Sequence, residues 1–183
     1  MSESLDPATD LEEACHWVFA YGSLIYKIDF PIEAKEQATL HGWERRFWQG
    51  SHDHRGTPEA PGRVLTLIAT PNAHCGGVAL RVRGSVFTHL DFREKNGYER
   101  HELPITLKNS EETVSATVYI AAPDNPAYLG NGTNAELAAH IARSVGPSGK
   151  NADYLIDLAS ALEELGIADR HVQQLAQEVR ALL

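Results

Sequence analysis

Cysteine, methionine and basic residues are all scarce in this sequence of 183 residues. The two cysteines, Cys15 and Cys75, lie far apart and form no C-x-x-C pair. That argues against a disulfide framework and against a zinc ribbon. No run of about 18 apolar residues occurs, so a membrane-spanning helix is not expected. Basic residues number 16 against 25 acidic ones, a formal net charge of −9. So acidic a surface disfavours generic binding to nucleic-acid phosphates or anionic lipid, while leaving room for a local cationic pocket. Neither nucleic acid nor a membrane is expected as a partner. There is no G-x-S-x-G elbow and no G-x-G-x-x-G fingerprint, and Gly149-Lys150 lacks the upstream glycine and strand of a P-loop. Internal repeats and low-complexity segments are missing as well. The opening stretch MSESLDPATDLEEA is acidic and lacks the basic and apolar regions of a secretory signal. The expected compartment is the cytoplasm, with both thiols reduced.

What is present describes a globular protein. Hydrophobic residues make up 43% and charged residues 22%, ordinary values for a folded domain. Residues 1–16 read as a polar leader and residues 17–183 as a single domain. His16 to Tyr21 is aromatic and β-branched and stops at Gly22-Ser23, the pattern of a buried strand and a tight turn. Further strands are expected near 35–50, 63–69, 76–82, 98–107 and 113–121, with a Gly/Pro loop over 51–62 and a break at Pro71-Asn72. A short helix over 85–95 presents Val86, Phe87 and Leu90 and ends at Asn96-Gly97. Thr133-Asn134-Ala135-Glu136 has capping-box spacing and precedes Leu137, Ile141 and Val145 at four-residue intervals. Residues 151–165 place Tyr154, Leu155, Leu158, Leu162 and Leu165 on one helical side. Gly166 can close that helix, and Asp169 can cap a last one. Strands followed by three helices imply an α+β architecture, with a curved sheet and helices packed on it.

Several segments can carry chemistry, and each has a plainer alternative. The Tyr21-Gly22-Ser23 turn can cradle an anion with free N–H groups, or it is an ordinary turn. Arg45, Arg46, Arg55 and Arg63 fall within 19 residues of an acidic chain. One or two can grip an anionic ligand, or all four are solvated. On a regular strand Arg45 and Arg46 face opposite sides, so at most one points inward. His52-Asp53-His54 offers two ligand types but no third ligand, inside a loop. Glu94, beside a glycine turn, suits a general base, although composition alone does not separate it from Asp91 or Glu99. Tyr154 is either a core aromatic or part of a site.

Taken together, WVFAYGSLIYKIDFP, RRFWQGSHDHRGTPEAPGRVLTL, LDFREKNGY, NPAYLG and GPSGKNADYL resemble the ChaC-type glutathione-specific γ-glutamylcyclotransferases in order and spacing. The resemblance covers roughly residues 17–165. It implies a γ-glutamylcyclotransferase-like fold, a small mixed β-barrel-like sheet flanked by helices with a cavity at one end. It also implies a cytosolic enzyme that cyclises the γ-glutamyl group of glutathione to 5-oxoproline and releases cysteinylglycine. On this resemblance the γ-glutamyl part sits at Tyr21, Gly22, Ser23 and Leu24, flanked by Ala20 and Ile25. The catalytic glutamate matches Glu94 and the substrate-site tyrosine matches Tyr154. Arg46, Arg55 and Arg63 are candidates for the substrate's carboxylates. Neither a cofactor nor a metal is implied. Ala20 stands where the family often has glycine, Tyr26 where it often has tryptophan, and Asn96-Gly97 replaces a glycine pair. Two other readings remain open: activity on other γ-glutamyl dipeptides or amines, and a non-catalytic binding module of the same fold. A monomer is compatible with all of them, and the sequence leaves the oligomeric state open.

Overall fold

The computed structural model describes residues 13–183. The leader expected over 1–16 falls, up to residue 12, outside the described residues. Its last two positions belong to a strand instead: β1 spans Cys15–Ala20. It is followed by β2 (Ala34–Ser51), β3 (Gly62–Arg83), α1 (Phe87–Arg93), β4 (Tyr98–Leu107), β5 (Thr113–Ala121), α2 (Asn134–Arg143), the two-residue strands β6 (Val145–Gly146) and β7 (Gly149–Lys150), α3 (Asn151–Glu164) and α4 (Arg170–Leu182).

Five strands close into a barrel in the order β1-β3-β2-β4-β5. Neighbours pair antiparallel, except that β5 returns parallel to β1 through Trp17↔Ala116 and Val18↔Thr117. Closure removes the open sheet edges that would otherwise recruit other chains. The interior is filled by Val18, Phe19, Leu40, Phe47, Leu80, Ile105 and Val118, all essentially inaccessible to water. The fold is α+β, a barrel-like mixed sheet flanked by helices.

The break expected at Pro71-Asn72 does not divide two strands. Gly62 to Arg83 forms one strand, which hairpins with β2. The pairing jumps from His41↔His74 to Trp43↔Ala69, so residues 70–73 bulge out of the ladder. Proline donates no ladder bond and is tolerated at such a bulge, and Asn72 takes the left-handed conformation (φ 64) that asparagine adopts readily. Val145 is also placed differently from the sequence expectation. α2 ends at Arg143, and Val145 is exposed in β6 rather than on the helix's apolar face.

Polar side chains fix where the helices start. At α2 the capping box forms: Glu136 N donates to Thr133 Oγ1 (3.2 Å) and Thr133 N donates to Glu136 Oε2 (2.9 Å). Asp169 caps α4 by accepting from Val172 N. α3 has no side-chain cap. Asn151, fully buried, ties its first turn to β3 instead, accepting from Arg63 N and donating to Arg63 O, both at 2.8 Å. This tie holds Tyr154, one turn further on, against Phe47 of β2.

Candidate active site

β1 runs into the core and ends at Ala20. The chain then turns through Tyr21-Gly22 into a single 3-10 turn, Ser23–Ile25. Arg45 and the Tyr21 hydroxyl hold the start of this loop. The buried Arg45 donates from Nε to Tyr21 O (2.7 Å), while its other nitrogens bind Asp169 Oδ2 (3.0 Å) and Gly76 O. Tyr21 Oη donates to Tyr119 O at 2.5 Å. Among the described residues, the backbone N–H groups of Gly22, Ser23 and Leu24 reach no protein acceptor, as is usual in the first turn of a helix.

An outer cavity of about 260 Å³ opens beside the loop, lined by Ser23, Lys27, Arg55, Arg93, Glu94 and Tyr154 among others. A smaller recess of about 50 Å³ adjoins it, walled by Phe19, Tyr21, Gly22, Ser23, Leu24, Leu65, Tyr98 and Tyr119. Glu94, Ser23, Tyr98 and Tyr154 line both, so they stand where the two spaces meet. Glu94 is the residue directly after α1, and its side chain is 19% exposed. Burial pushes its carboxyl above the ordinary carboxylate value, and the Arg93 guanidinium, 3.9 Å away, opposes this only in part. Asp91 points elsewhere, pairing on the surface with Arg100 and the Tyr119 hydroxyl. Glu99 is exposed on β4. The fold thus separates the three acids that sequence alone could not.

Tyr21, Tyr98 and Tyr154 are raised well above the ordinary phenol range, chiefly by burial, and stay protonated. Tyr98 commits its proton to Leu65 O. Tyr154 packs edge-on to Phe47 at 5.9 Å and lies under the Arg55 guanidinium, 5.7 Å from its ring centre. Its hydroxyl faces the Leu65 backbone, which offsets part of that upward shift. Among the described residues it donates to no protein acceptor, so its proton can be offered to a ligand.

The structure therefore gathers Tyr21, Gly22, Ser23, Leu24, Glu94 and Tyr154 around one space, with Arg55 at the outer wall. Ala20 and Ile25 pack into the core instead. Only one of the three candidate arginines reaches the cavity. Arg46 lies on another face, against Glu44 and the Trp48 ring. Arg63 is spent on Phe47 O, Gly130 O and His140 Nδ1. Arg55 donates to Lys150 O and has no carboxylate partner among the described residues. Of the adjacent pair, the inward residue is Arg45, which serves the loop and not a ligand. His52-Asp53-His54 follows the end of β2, where Asp53 accepts from Asn96 and His54 meets Ser148. Among the described residues no cluster of three or more histidine, cysteine, aspartate or glutamate side chains forms. Arg93 and Tyr98 are site residues that sequence reasoning passed over. Arg93 donates to Ser23 Oγ (3.1 Å) and Lys27 O (3.0 Å), tying α1 to the loop. Its position beside Glu94 was the available signal, but its partners are about 70 residues away in sequence.

Comparison with known proteins places the chain in a family. An Arabidopsis thaliana protein named Gamma-glutamylcyclotransferase 2-3 is 43% identical over 178 residues, covering 91% of this chain and 89% of its own. A Danio rerio protein named Glutathione-specific gamma-glutamylcyclotransferase 1 is 41% identical over 150 residues, covering 78% and 76%. A crystal structure of a yeast γ-glutamyl cyclotransferase specific to glutathione superposes with a TM-score of 0.86 at 32% identity, covering 91% of this chain and 96% of that one. The ChaC family, described as ChaC-like protein, matches residues 16–182, and the chain belongs to it.

Proposed function

We propose that the protein cleaves glutathione to 5-oxoproline and cysteinylglycine, with Glu94 as general base and then general acid. One observation carries this reading: a largely buried carboxylate stands where a tyrosine-walled recess meets a cavity with an arginine on its wall, Arg55, that has no carboxylate partner among the described residues. The substrate brings its own nucleophile, the α-amine of its γ-glutamyl group. Attack on the γ-carbonyl closes a five-membered lactam and expels the cysteine nitrogen. What the protein must supply is a folded-back conformation and a proton path.

At neutral pH the α-amine is an ammonium. A carboxylate with a raised pKa accepts its proton more readily than a solvated one, and can return that proton to the departing nitrogen. The recess bounded by Tyr21, Gly22, Ser23 and Leu24 holds the γ-glutamyl group. The loop N–H groups and the Tyr154 hydroxyl serve as donors to its α-carboxylate or to the developing oxyanion. Arg55 takes the glycine carboxylate in the outer cavity. A cytoplasmic location, where Cys15 and Cys75 remain thiols, suits that substrate.

The test is to incubate purified protein with glutathione and, separately, with γ-Glu-Ala, and to quantify 5-oxoproline and the released amino component. Turnover of glutathione well above γ-Glu-Ala is expected. Equal or greater turnover of γ-Glu-Ala points to the wider γ-glutamyl specificity, and no turnover of either points to a binding module.

A further inference from the structure

Glu94 sits at the end of a helix and enters a site that desolvates it. Left free, a carboxylate in such a place relaxes toward water. The chain around it is short of internal restraint. The last helical bond runs from Glu94 N to Leu90 O (2.9 Å), and within the following turn only Gly97 N to Lys95 O (3.2 Å) is made. Arg93 anchors the helix end before Glu94, and the turn after it is restrained by two remote side chains. Gln49, fully buried on β2, donates from Nε2 to Asn96 O at 3.1 Å. The same Nε2 donates to Asn125 Oδ1 (3.0 Å), and Asn125 Nδ2 donates back to Gln49 Oε1 (3.0 Å). Asn125 is fixed in turn, accepting from Ala127 N and donating to Ala122 O. The turn rests directly on this amide pair. A Cβ built at Gly97, where φ is +92°, would lie 2.5 Å from Asn125 Oδ1 and 2.8 Å from Gln49 Nε2.

We propose that Gln49 and Asn125 are positioning residues: their paired amides grip the Asn96 carbonyl and so fix the direction in which Glu94 enters the site. The amide orientation of Gln49 is locked by its partners. Turning it over would set Oε1 against both Asn96 O and Asn125 Oδ1, acceptor against acceptor. Asn96 is held a second time at the cavity rim, where its side chain donates to Asp53. The loop that carries Asn125 therefore acts on the reaction through Glu94 and not by touching substrate. This rests on Glu94 being the reacting acid.

Gln49→Met and Asn125→Asp test it. The first keeps the shape of the side chain and removes the grip. The second replaces the Nδ2 donor to Gln49 Oε1 and Ala122 O with an acceptor, so the pair is pushed apart and its hold on Asn96 O loosens. In both variants kcat for 5-oxoproline formation is expected to fall about tenfold, the effect of about 1.4 kcal/mol at the barrier, with KM changed by less than about twofold. A carboxyl-carbon NMR titration of Glu94 in substrate-free protein is expected to shift to lower pH, because water reaches the loosened side chain. A variant that loses thermal stability but keeps wild-type kcat and an unshifted Glu94 titration overturns the proposal. Should Gln49→Met fail to fold, Asn125→Asp decides alone. Should the wild-type protein leave glutathione intact, the proposed function fails, and the NMR titration still decides whether the amide pair positions Glu94.

Discussion

Glu94 sits in a place that costs the fold stability when it is ionised. Its folded-state pKa lies above the unfolded value because of burial. Between those two values the folded state binds more protons, so stability falls as pH rises through that window and is not regained above it. Glu94→Gln relieves this cost. At pH 7 the variant is expected to melt at a higher temperature than wild type, with the gain vanishing near pH 4. Its 5-oxoproline turnover is expected to drop by about 100-fold or more, the usual scale of general-base catalysis. For the same reason the acid limb of wild-type kcat/KM should lie above the ordinary glutamate range. Near-wild-type turnover by Glu94→Gln would remove this residue from the mechanism. The role proposed for Arg55 is different. It concerns substrate affinity, since a charge-assisted bond to a carboxylate contributes roughly 1.5–3 kcal/mol. Arg55→Met is expected to raise KM for glutathione about tenfold or more and to leave kcat within about twofold, as steady-state kinetics would record.

At the scale of elements, the site depends on how α3 and β3 are joined. Asn151 imitates one rung of a strand ladder by binding both backbone groups of Arg63. Asn151→Ala leaves a buried N–H and a buried C=O unpaired, a cost of about 3 kcal/mol. In a domain of this size that lowers the melting temperature by roughly 6–12 °C. Tyr154 rides on the same helix, so substrate affinity should weaken in parallel, which calorimetry and kinetics on one preparation can check. The periodic elements were legible in the sequence. The capping box at Thr133, the apolar side of α3 and the turn at Gly97 all follow from local chemistry. The joining of the two halves of β3 was not legible, because a bulge needs a partner strand to define it. Asn151 as a tie was equally hidden, since its partner lies 88 residues earlier in the chain.

The whole molecule responds to pH through His171 as well. This ring lines the α4 side of β2 and accepts from Phe47 N at 3.2 Å. Burial first, and then the nearby Arg46, pulls its pKa down to about 4. Its unfolded value is near 6.5, so the unfolded chain binds the extra proton as pH falls from that value toward about 4. Stability present above pH 6.5 is thereby lost across that window. His171→Gln keeps an acceptor for Phe47 N but does not titrate. Between pH 7 and pH 4.5 its melting temperature should fall less than that of wild type; an equal fall in scanning calorimetry would refute this coupling.

Residue pattern alone carried the α+β class, most element positions and the motif set that marks the ChaC family, because strand alternation, helical periodicity and caps act over a few neighbours. Roles that depend on direction and distance needed the folded chain. Arg45, Arg46, Arg55 and Arg63 are chemically alike in sequence, yet one holds the loop, one lies on another face, one lines the cavity and one is buried in the frame. Asp91, Glu94 and Glu99 are likewise three equivalent acids until barrel closure buries one beside the recess and leaves the others in solvent. The reason is physical: desolvation and hydrogen-bond reach are set by atoms brought together from distant parts of the chain, and no local pattern encodes them.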